Sequence, residues 1–433
     1  MPSLVLQGSS SFKGIYCPPG DKSISHRAVM FGALAEGESR FTHFLEAEDC
    51  LHTLQAFESM GIKINLNPGK GELQIQGAGL QGLHAPKREI YLGNSGTSIR
   101  LLLGILAGQR FEVTLTGDSS LSSRPMKRVT EPLKKMGAQI KGRDNGNFAP
   151  LTIRGGNLKS ITFDNKLSSA QVKSALLFAG LFAEGETRIL ESLPSRDHQE
   201  RFLRASGANF RREKNVLVVE KTAALTPLCT EIPGDFSSAA FFIAAASFTK
   251  GSDLLIDKVS LNPTRTGMLQ VLRRMGASLE VEKTQELPEP IGKIRVRGAS
   301  LKGARISRDE IPSLIDELPI LMTLMALAEG ESLISGAEEL RVKETDRILS
   351  MVTNLNELGG KLKELPDGCM IEGVKGFRGG KVTSFGDHRT AMSLAIASLH
   401  AESSVEIEDI DCVKTSFPSF FEDFDRLKAR PEK

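Results

Sequence analysis

Long apolar runs recur along the chain and alternate with amphipathic ones. RLLLGILAG, KSALLFAGLFA, AAFFIAAASF and PILMTLMALA carry almost no charge, and a helix that is apolar all round is a buried one. MKRVTEPLKKMGA and RTGMLQVLRRMGA confine their apolar residues to one face, so these helices belong on the outside. A turn follows each apolar helix, and it repeats six times: AEGES (35–39), AGQRF (107–111), AEGET (183–187), TKGSD (249–253), AEGES (328–332) and, without its glycine, HAESS (400–404). The turn glycines Gly37, Gly108, Gly185, Gly251 and Gly330 stand 71, 77, 66 and 79 residues apart. The second helices close on MGI, MGA, SGA, MGA and LGG, at Gly61, Gly137, Gly207, Gly276 and Gly359. Self-similarity of this kind governs the fold before any single element does.

The pattern predicts an α/β fold made of βαβαββ-type repeats, with the apolar helices inside and the sheets around them. At 433 residues the chain should form about two domains of roughly 200 residues each. PPGDKSIS (18–25) is echoed by IPGDFSSA (232–239), and Pro-Gly pairs mark turns. The sixth repeat stops after SFPSFFEDFDRLKA without a closing strand, which LVLQG (4–8) is placed to supply. The expected division is therefore 21–233 for repeats one to three, and 1–20 with 234–433 for repeats four to six. Hinges would lie near 19–21 and 233–235, with an active site in the cleft between the domains.

A composition of 40% hydrophobic and 25% charged residues is ordinary for a globular protein. The net charge of +2 provides no global field for nucleic acid or an anionic membrane, so any anion binding must be local. Cys17, Cys50, Cys229, Cys369 and Cys412 are scattered without a CxxC pair, which suits a reducing compartment and not a structural zinc. The start MPSLVLQGSSSFKG does not read as a signal peptide, and the apolar run Ala239–Phe248 is about half a membrane span. A cytoplasmic protein is expected, with a frayed tail at Arg430–Lys433.

The chemistry is signalled by cations at helix starts, where they oppose the helix dipole. Lys22 and Arg27 flank GDKSISHR, Arg100 lies in LGNSGTSIR, and Arg124 precedes Pro125 at an expected first helical position. Arg196 opens SRDHQE, Arg265 lies in NPTRTG, Lys343 and Arg347 lie four apart in RVKETDR, His388 and Arg389 follow a capping Asp387, and Lys414 opens KTSFP. Any one of these reads as solvated surface. Their recurrence, beside Ser23, Gly96, Thr97, Ser168 and Ser169, fits a small polyanion carrying phosphate and carboxylate. Asp316, heading a buried helix, is an N-cap or a general base. Glu344 is a surface ion pair or a proton donor, and Asp49 reads as a cap. His26, His43, His52, His84, His198 and His400 read as structural or surface. There is no GxxxxGK[ST], HExxH or GxSxG, and no GxGxxG following a strand. A cofactor-free site for a phosphorylated, carboxylated small molecule remains.

PGDKSISHRA, LGNSGTSIR, GDSSLSSRPM, SSAQVKSA, NPTRTG, IDELPI, ELRVKETDR, GDHR and KTSFP closely resemble the 5-enolpyruvylshikimate-3-phosphate synthases, in order along nearly the whole chain. The resemblance implies two domains of three pseudo-symmetric repeats, an inverse α/β barrel. It also implies transfer of the enolpyruvyl group of phosphoenolpyruvate to the 5-hydroxyl of shikimate 3-phosphate, without metal or cofactor, in aromatic amino-acid biosynthesis. Carried onto this sequence, Lys22, Ser23, Arg27, Ser168, Ser169, Arg196, Asp316 and Lys343 should hold shikimate 3-phosphate. Phosphoenolpyruvate should meet Lys22, Gly96, Arg124, Gln171, Glu344, Arg347, His388, Arg389 and Lys414. Asp316 would be the base and Glu344 the acid, with Lys22 as a second acid. SSAQVKSA and Arg196 resemble one subgroup of the family, LGNSGTSIR another. Some members of the family carry alanine at the Gly96 position and tolerate glyphosate, so the resemblance, with glycine here, implies sensitivity to that inhibitor. A monomer that closes on its substrates is expected. Two rivals remain: the UDP-N-acetylglucosamine enolpyruvyl transferase, which typically carries a reactive cysteine where GDSSLSSRPM has none, and a non-catalytic repeat scaffold, for which +2 is too little charge to clamp nucleic acid.

Overall fold

The computed structural model describes residues 2–8, 11–166, 168–286 and 288–428, so the tail expected at 430–433 lies outside the described residues. The chain forms two compact units, 20–232 and 1–19 with 233–433. Each has its own apolar core, and six helices supply much of it: Lys22–Leu34 (α1), Gly96–Ala107 (α2) and Ala170–Gly180 (α3) in the first unit, and Phe236–Phe248 (α4), Leu318–Leu327 (α5) and His388–Ala397 (α6) in the second. In α5 every residue is buried, as a sequence with only Thr323 among apolar residues requires.

Around each trio of helices lie three sheets with one topology. In 20–232 the first sheet runs Cys229–Glu231, Glu36–Thr42, Glu72–Ala78, Lys63–Asn67, with the first pair parallel and the others antiparallel. The second sheet (Ile90–Tyr91, Glu112–Thr116, Phe148–Arg154, Gln139–Gly142) and the third (Thr162–Asp164, Thr187–Leu190, Val216–Val219, Phe210–Glu213) repeat that order. In the other unit Lys13–Tyr16 begins the fourth sheet and Arg305–Ile306 the fifth. The sixth has only Gly380–Thr383, Val405–Glu408 and Ser3–Leu6, the last pairing antiparallel to Val405–Glu408. Strand alternation sets one face of each sheet on the helices: in Glu36–Thr42, Ser39 and Phe41 are buried between exposed neighbours.

The outer helices bury one stripe each. Lys127–Met136 covers Val129, Leu133 and Met136 and stops at Gly137, whose φ of 113° is left-handed and suits glycine. The helix begins at Lys127, with Met126 at the cap, so Pro125 stands outside it and not at its first position. Asp21 and Asp235, the aspartates of the two PGD strings, accept hydrogen bonds from Ile24 N at 2.9 Å and Ser238 N at 3.1 Å, capping α1 and α4. Among the described residues no helix is long and apolar enough to cross a membrane.

Candidate active site

The candidate residues fall into two groups, one in each unit. In 20–232 the group gathers at the starts of α1, α2 and α3. Lys22 is the first residue of α1, and its ammonium lies 2.6 Å from Asp49 Oδ2. Asp49 is therefore not the cap of its own helix, whose cap position is Ala47; it serves as the counter-ion of Lys22. Arg27 is buried one turn further on. Its Nε donates to Gln199 Oε1 at 3.1 Å, Nη1 to the Ser23 carbonyl at 2.9 Å and Nη2 to Ser174 Oγ at 2.7 Å.

Ser95 caps α2 by accepting from Ser98 N, which leaves Gly96 and Thr97 in the first turn. Arg100 lies in the second turn rather than at the helix start, and its Nη1 donates to Gln171 Oε1 at 2.8 Å. Gln171 in turn donates to Thr97 Oγ1 at 3.0 Å. Arg124 is buried, bonded to Asn94 Oδ1 and, at 3.2 Å, to Ser120 Oγ. Asn94 is itself held by Asp118 at 2.8 Å. A β-carbon placed on Gly96 would stand 2.7 Å from Arg100 Nη1 and 3.1 Å from Arg124 Nη1, which puts both guanidiniums beside that backbone. Gly96, Arg124 and Gln171 are thus brought together, with Arg100 joining them. Ser169 caps α3, while the hydroxyl of Ser168 donates to the Leu193 carbonyl at 2.9 Å. Arg196 is half-buried ahead of the helix His198–Ala205.

In the other unit a single buried guanidinium organises the group. Arg347 opens the helix Arg347–Glu357. Its Nε donates to Asp387 Oδ2 at 2.8 Å, Nη1 to Asp316 Oδ1 at 3.2 Å and Nη2 to Glu344 Oε2 at 2.6 Å. Burial works against its charge, but Asp387, Glu344 and Asp316 outweigh it and hold its pKa above the usual value. Asp316 lies in the short 3₁₀ turn Ile315–Glu317 ahead of α5 and does not cap that helix; Glu317 holds the cap position, its carboxylate accepting from Ser237 Oγ and not from a backbone N–H of the first turn. Asp316 also meets Arg389, whose Nη1 donates to its backbone carbonyl at 3.1 Å and whose Nε lies 3.6 Å from Oδ1. Asp387 caps α6 through Oδ1, accepting from Arg389 N at 2.8 Å and Thr390 N at 3.2 Å, so one carboxylate both starts the helix and orients Arg347. His388 is buried in that first turn. Desolvation pushes the Lys343 ammonium pKa down; Asp316 opposes the shift and Arg347 adds to it. Lys414 sits largely exposed in the turn Ile410–Thr415, 2.7 Å from Asp411 Oδ1.

Comparison with known proteins shows the family of the chain. The family model for EPSP synthase (3-phosphoshikimate 1-carboxyvinyltransferase) matches residues 6–424. The chain belongs to the EPSP synthase family. A 3-phosphoshikimate 1-carboxyvinyltransferase of Alkaliphilus metalliredigens is 49% identical over 428 residues, covering 98% of this chain and 99% of that one. Another, of Alkalilimnicola ehrlichii, is 51% identical over 419 residues, 96% of this chain and 94% of the other. A solved structure of EPSP synthase from Acinetobacter baumannii superposes with a TM-score of 0.87 at 45% identity, covering 98% of each chain. The α/β fold of repeats read from the sequence is the fold of this family.

Within this EPSP synthase family member, the sequence reading overlooked the partners more than the cations. Asn94 was passed over although it sits beside the cap Ser95 in LGNSGTSIR, where a side-chain amide can reach across a helix start. From the sequence, Asp387 and Asp49 both read as caps. For Asp387 the place directly before His388 and Arg389 was the available signal; Asp49 has no lysine or arginine within two residues, so nothing local announces its pairing with Lys22.

Proposed function

We propose that this chain transfers the enolpyruvyl group of phosphoenolpyruvate to the 5-hydroxyl of shikimate 3-phosphate and releases phosphate, with the two groups of residues serving one reaction. Asp316 takes the proton of the attacking hydroxyl, whose oxygen adds to C2 of phosphoenolpyruvate. Glu344 delivers a proton to C3, with Lys22 as a second acid, giving a tetrahedral adduct with a methyl group. The methyl then returns a proton as the C2–O bond to phosphate breaks, and the vinyl ether forms. Arg124, Arg347, Arg389, Lys22 and Lys414 offset the charge of the carboxylate and the departing phosphate. Lys22, Ser23, Arg27, Ser168, Ser169, Arg196, Asp316 and Lys343 hold the acceptor. Gly96, Gln171 and His388 complete the surroundings of phosphoenolpyruvate.

The observation that supports the acid–base roles is the fork of Arg347, which holds Asp316 and Glu344 on one guanidinium at 3.2 and 2.6 Å. Two carboxyl groups fixed to a common partner keep a set spacing while they exchange protons with substrate. The protein is expected to work as a monomer in the cytoplasm, where its five free thiols would stay reduced. Glyphosate is the expected inhibitor, competing where Gly96 leaves room.

Phosphate release from phosphoenolpyruvate tests the reading, with shikimate 3-phosphate and UDP-N-acetylglucosamine offered separately as acceptors in the presence of a chelator. Release only with the shikimate ester is expected; release only with the nucleotide sugar would replace the acceptor and its residues. Substituting Glu344→Gln should then cut turnover by roughly a hundredfold or more, and near-normal turnover would remove Glu344 from the proton-donor role.

A further inference from the structure

A buried ionic cluster in the third repeat takes no part in the chemistry above. Lys173, in α3, is wholly buried: its ammonium lies 2.8 Å from Glu200 Oε1, 3.2 Å from Glu191 Oε2 and 3.3 Å from the Ser195 carbonyl. Both glutamates are buried as well. Charges are retained in a core only when paired, and replacing such a triad by apolar residues is often neutral or stabilising. Stability alone therefore does not account for a lysine in a helix whose other buried positions are nearly all apolar, AQVKSALLFAG.

The connections of the cluster point elsewhere. Glu191 Oε1 accepts from Ser195 Oγ at 2.6 Å and from Asn165 Nδ2 at 3.3 Å. Asn165 also holds Ser169 from both sides, accepting from its N–H at 3.2 Å and donating to its carbonyl at 3.3 Å. Ser195 directly precedes Arg196. Ser168, whose positive φ of 47° needs support from its surroundings, donates to Leu193 O on the same segment. On the other side of Lys173, its chain neighbour Ser174 accepts from Arg27 Nη2, and Gln199, the neighbour of Glu200, accepts from Arg27 Nε.

We infer that Lys173, Glu191 and Glu200 are positioning residues for the acceptor: they fix Ser168, Ser169, Arg196 and Arg27 in the arrangement that receives shikimate 3-phosphate, without touching it. The inference rests on the assignment of those four residues to shikimate 3-phosphate. Burial pushes the Glu200 carboxyl pKa up against the pull of Lys173, with Glu191 and Asp197 adding to the rise; Arg212 lies 3.9 Å away. A cluster near neutrality is compatible with its burial, whereas loss of Glu191 would unfasten two substrate-binding segments at once. Lys173 shares α3 with Gln171, but Gln171 is held separately by Arg100 and Thr97, so the effect should fall chiefly on one substrate.

The test uses the full chain and steady-state kinetics with each substrate varied in turn. Glu191→Gln should raise the KM for shikimate 3-phosphate about tenfold or more, as expected for losing hydrogen bonds to a charged group. The KM for phosphoenolpyruvate should stay within about twofold. Ser195→Ala, which removes one hydroxyl and no charge, should show the same selectivity with a smaller rise and keeps the test open if Glu191→Gln does not fold. A cluster that only stabilises the fold would lower the melting temperature and leave both KM values of the folded protein unchanged, which would overturn the inference. A wild-type protein that releases no phosphate with shikimate 3-phosphate would instead overturn the functional reading on which it rests.

Discussion

Gly96 is the residue at which one absent atom matters most. Its missing methyl would stand 2.7 Å from Arg100 Nη1, and that guanidinium can move aside only by loosening its bond to Gln171 Oε1 at 2.8 Å. Gly96→Ala should therefore displace Arg100 and Arg124 together. The KM for phosphoenolpyruvate should rise several-fold and glyphosate inhibition should weaken further, while stability stays within about 1 kcal/mol, since alanine suits a helix better than glycine. Inhibition constants for the two proteins check this, and equal values would refute it. His400 offers a different residue-scale prediction. Burial depresses its imidazole pKa to about 4, its Nε2 lies 3.2 Å from Thr249 Oγ1, and its ring meets Phe248 edge-on at 4.6 Å. The unfolded chain binds a proton near pH 6.5 and the folded one near 4, so this contribution is complete above about 6.5 and is lost as pH falls towards 4, by up to roughly 3 kcal/mol. Urea melts of wild type and His400→Gln should differ in their slope between pH 6.5 and 4, the variant being flatter. The sequence made the cations legible because a charge at a helix start stands out in a line of letters. Their partners were not legible, since Asp49 meets Lys22 and Asp316 meets Arg347 only through tertiary structure.

Among the elements, α6 begins at a residue whose two carboxylate oxygens make different bonds. Asp387 uses Oδ1 for two backbone N–H groups and Oδ2 for Arg347. The two roles can be separated. Asp387→Asn keeps an acceptor for the cap but turns an amide donor toward Arg347 Nε and removes a negative charge from a buried pair, so stability should fall by roughly 3 kcal/mol while the KM for phosphoenolpyruvate rises. Asp387→Ala loses the cap as well and should be less stable by about a further 1 kcal/mol. Denaturant melts alongside kinetics distinguish them; equal stability of the two variants would show that the cap contributes nothing. The inner helices α2 to α5 were readable as apolar runs because burial on all sides leaves little polar face. Helix starts were less readable. Asp316 lies in a 3₁₀ turn that no periodicity announces, and Pro125 stands two residues before the helix it was expected to open.

At the scale of the whole molecule, the chain closes its repeats with strands from distant positions. In 20–232 the first sheet takes Cys229–Glu231 from the far end of the same segment, so this unit contains all its strands within one stretch of chain. The other unit does not. Lys13–Tyr16 pairs with Asp253–Ser260, and Ser3–Leu6 pairs with Val405–Glu408, so two of its three sheets depend on residues that precede 20–232. Phe12 and Tyr16 are buried in that core, and losing aromatic side chains from a core costs about 3–5 kcal/mol each. A fragment 20–232 should therefore fold alone, with a cooperative urea transition, whereas 233–433 should not fold unless residues 1–19 are supplied. Function should divide along the same line. Lys22, Ser23, Arg27, Ser168, Ser169 and Arg196 lie in 20–232, but Asp316 and Glu344 do not, so the fragment should bind shikimate 3-phosphate, more weakly than the full chain, and release no phosphate from phosphoenolpyruvate. Calorimetry with shikimate 3-phosphate and a phosphate-release assay on the fragment measure both. Turnover by 20–232 alone would mean that neither Asp316 nor Glu344 carries the proton transfers, and a folded 20–232 that binds no shikimate 3-phosphate would mean that Asp316 and Lys343 contribute most of the acceptor's affinity.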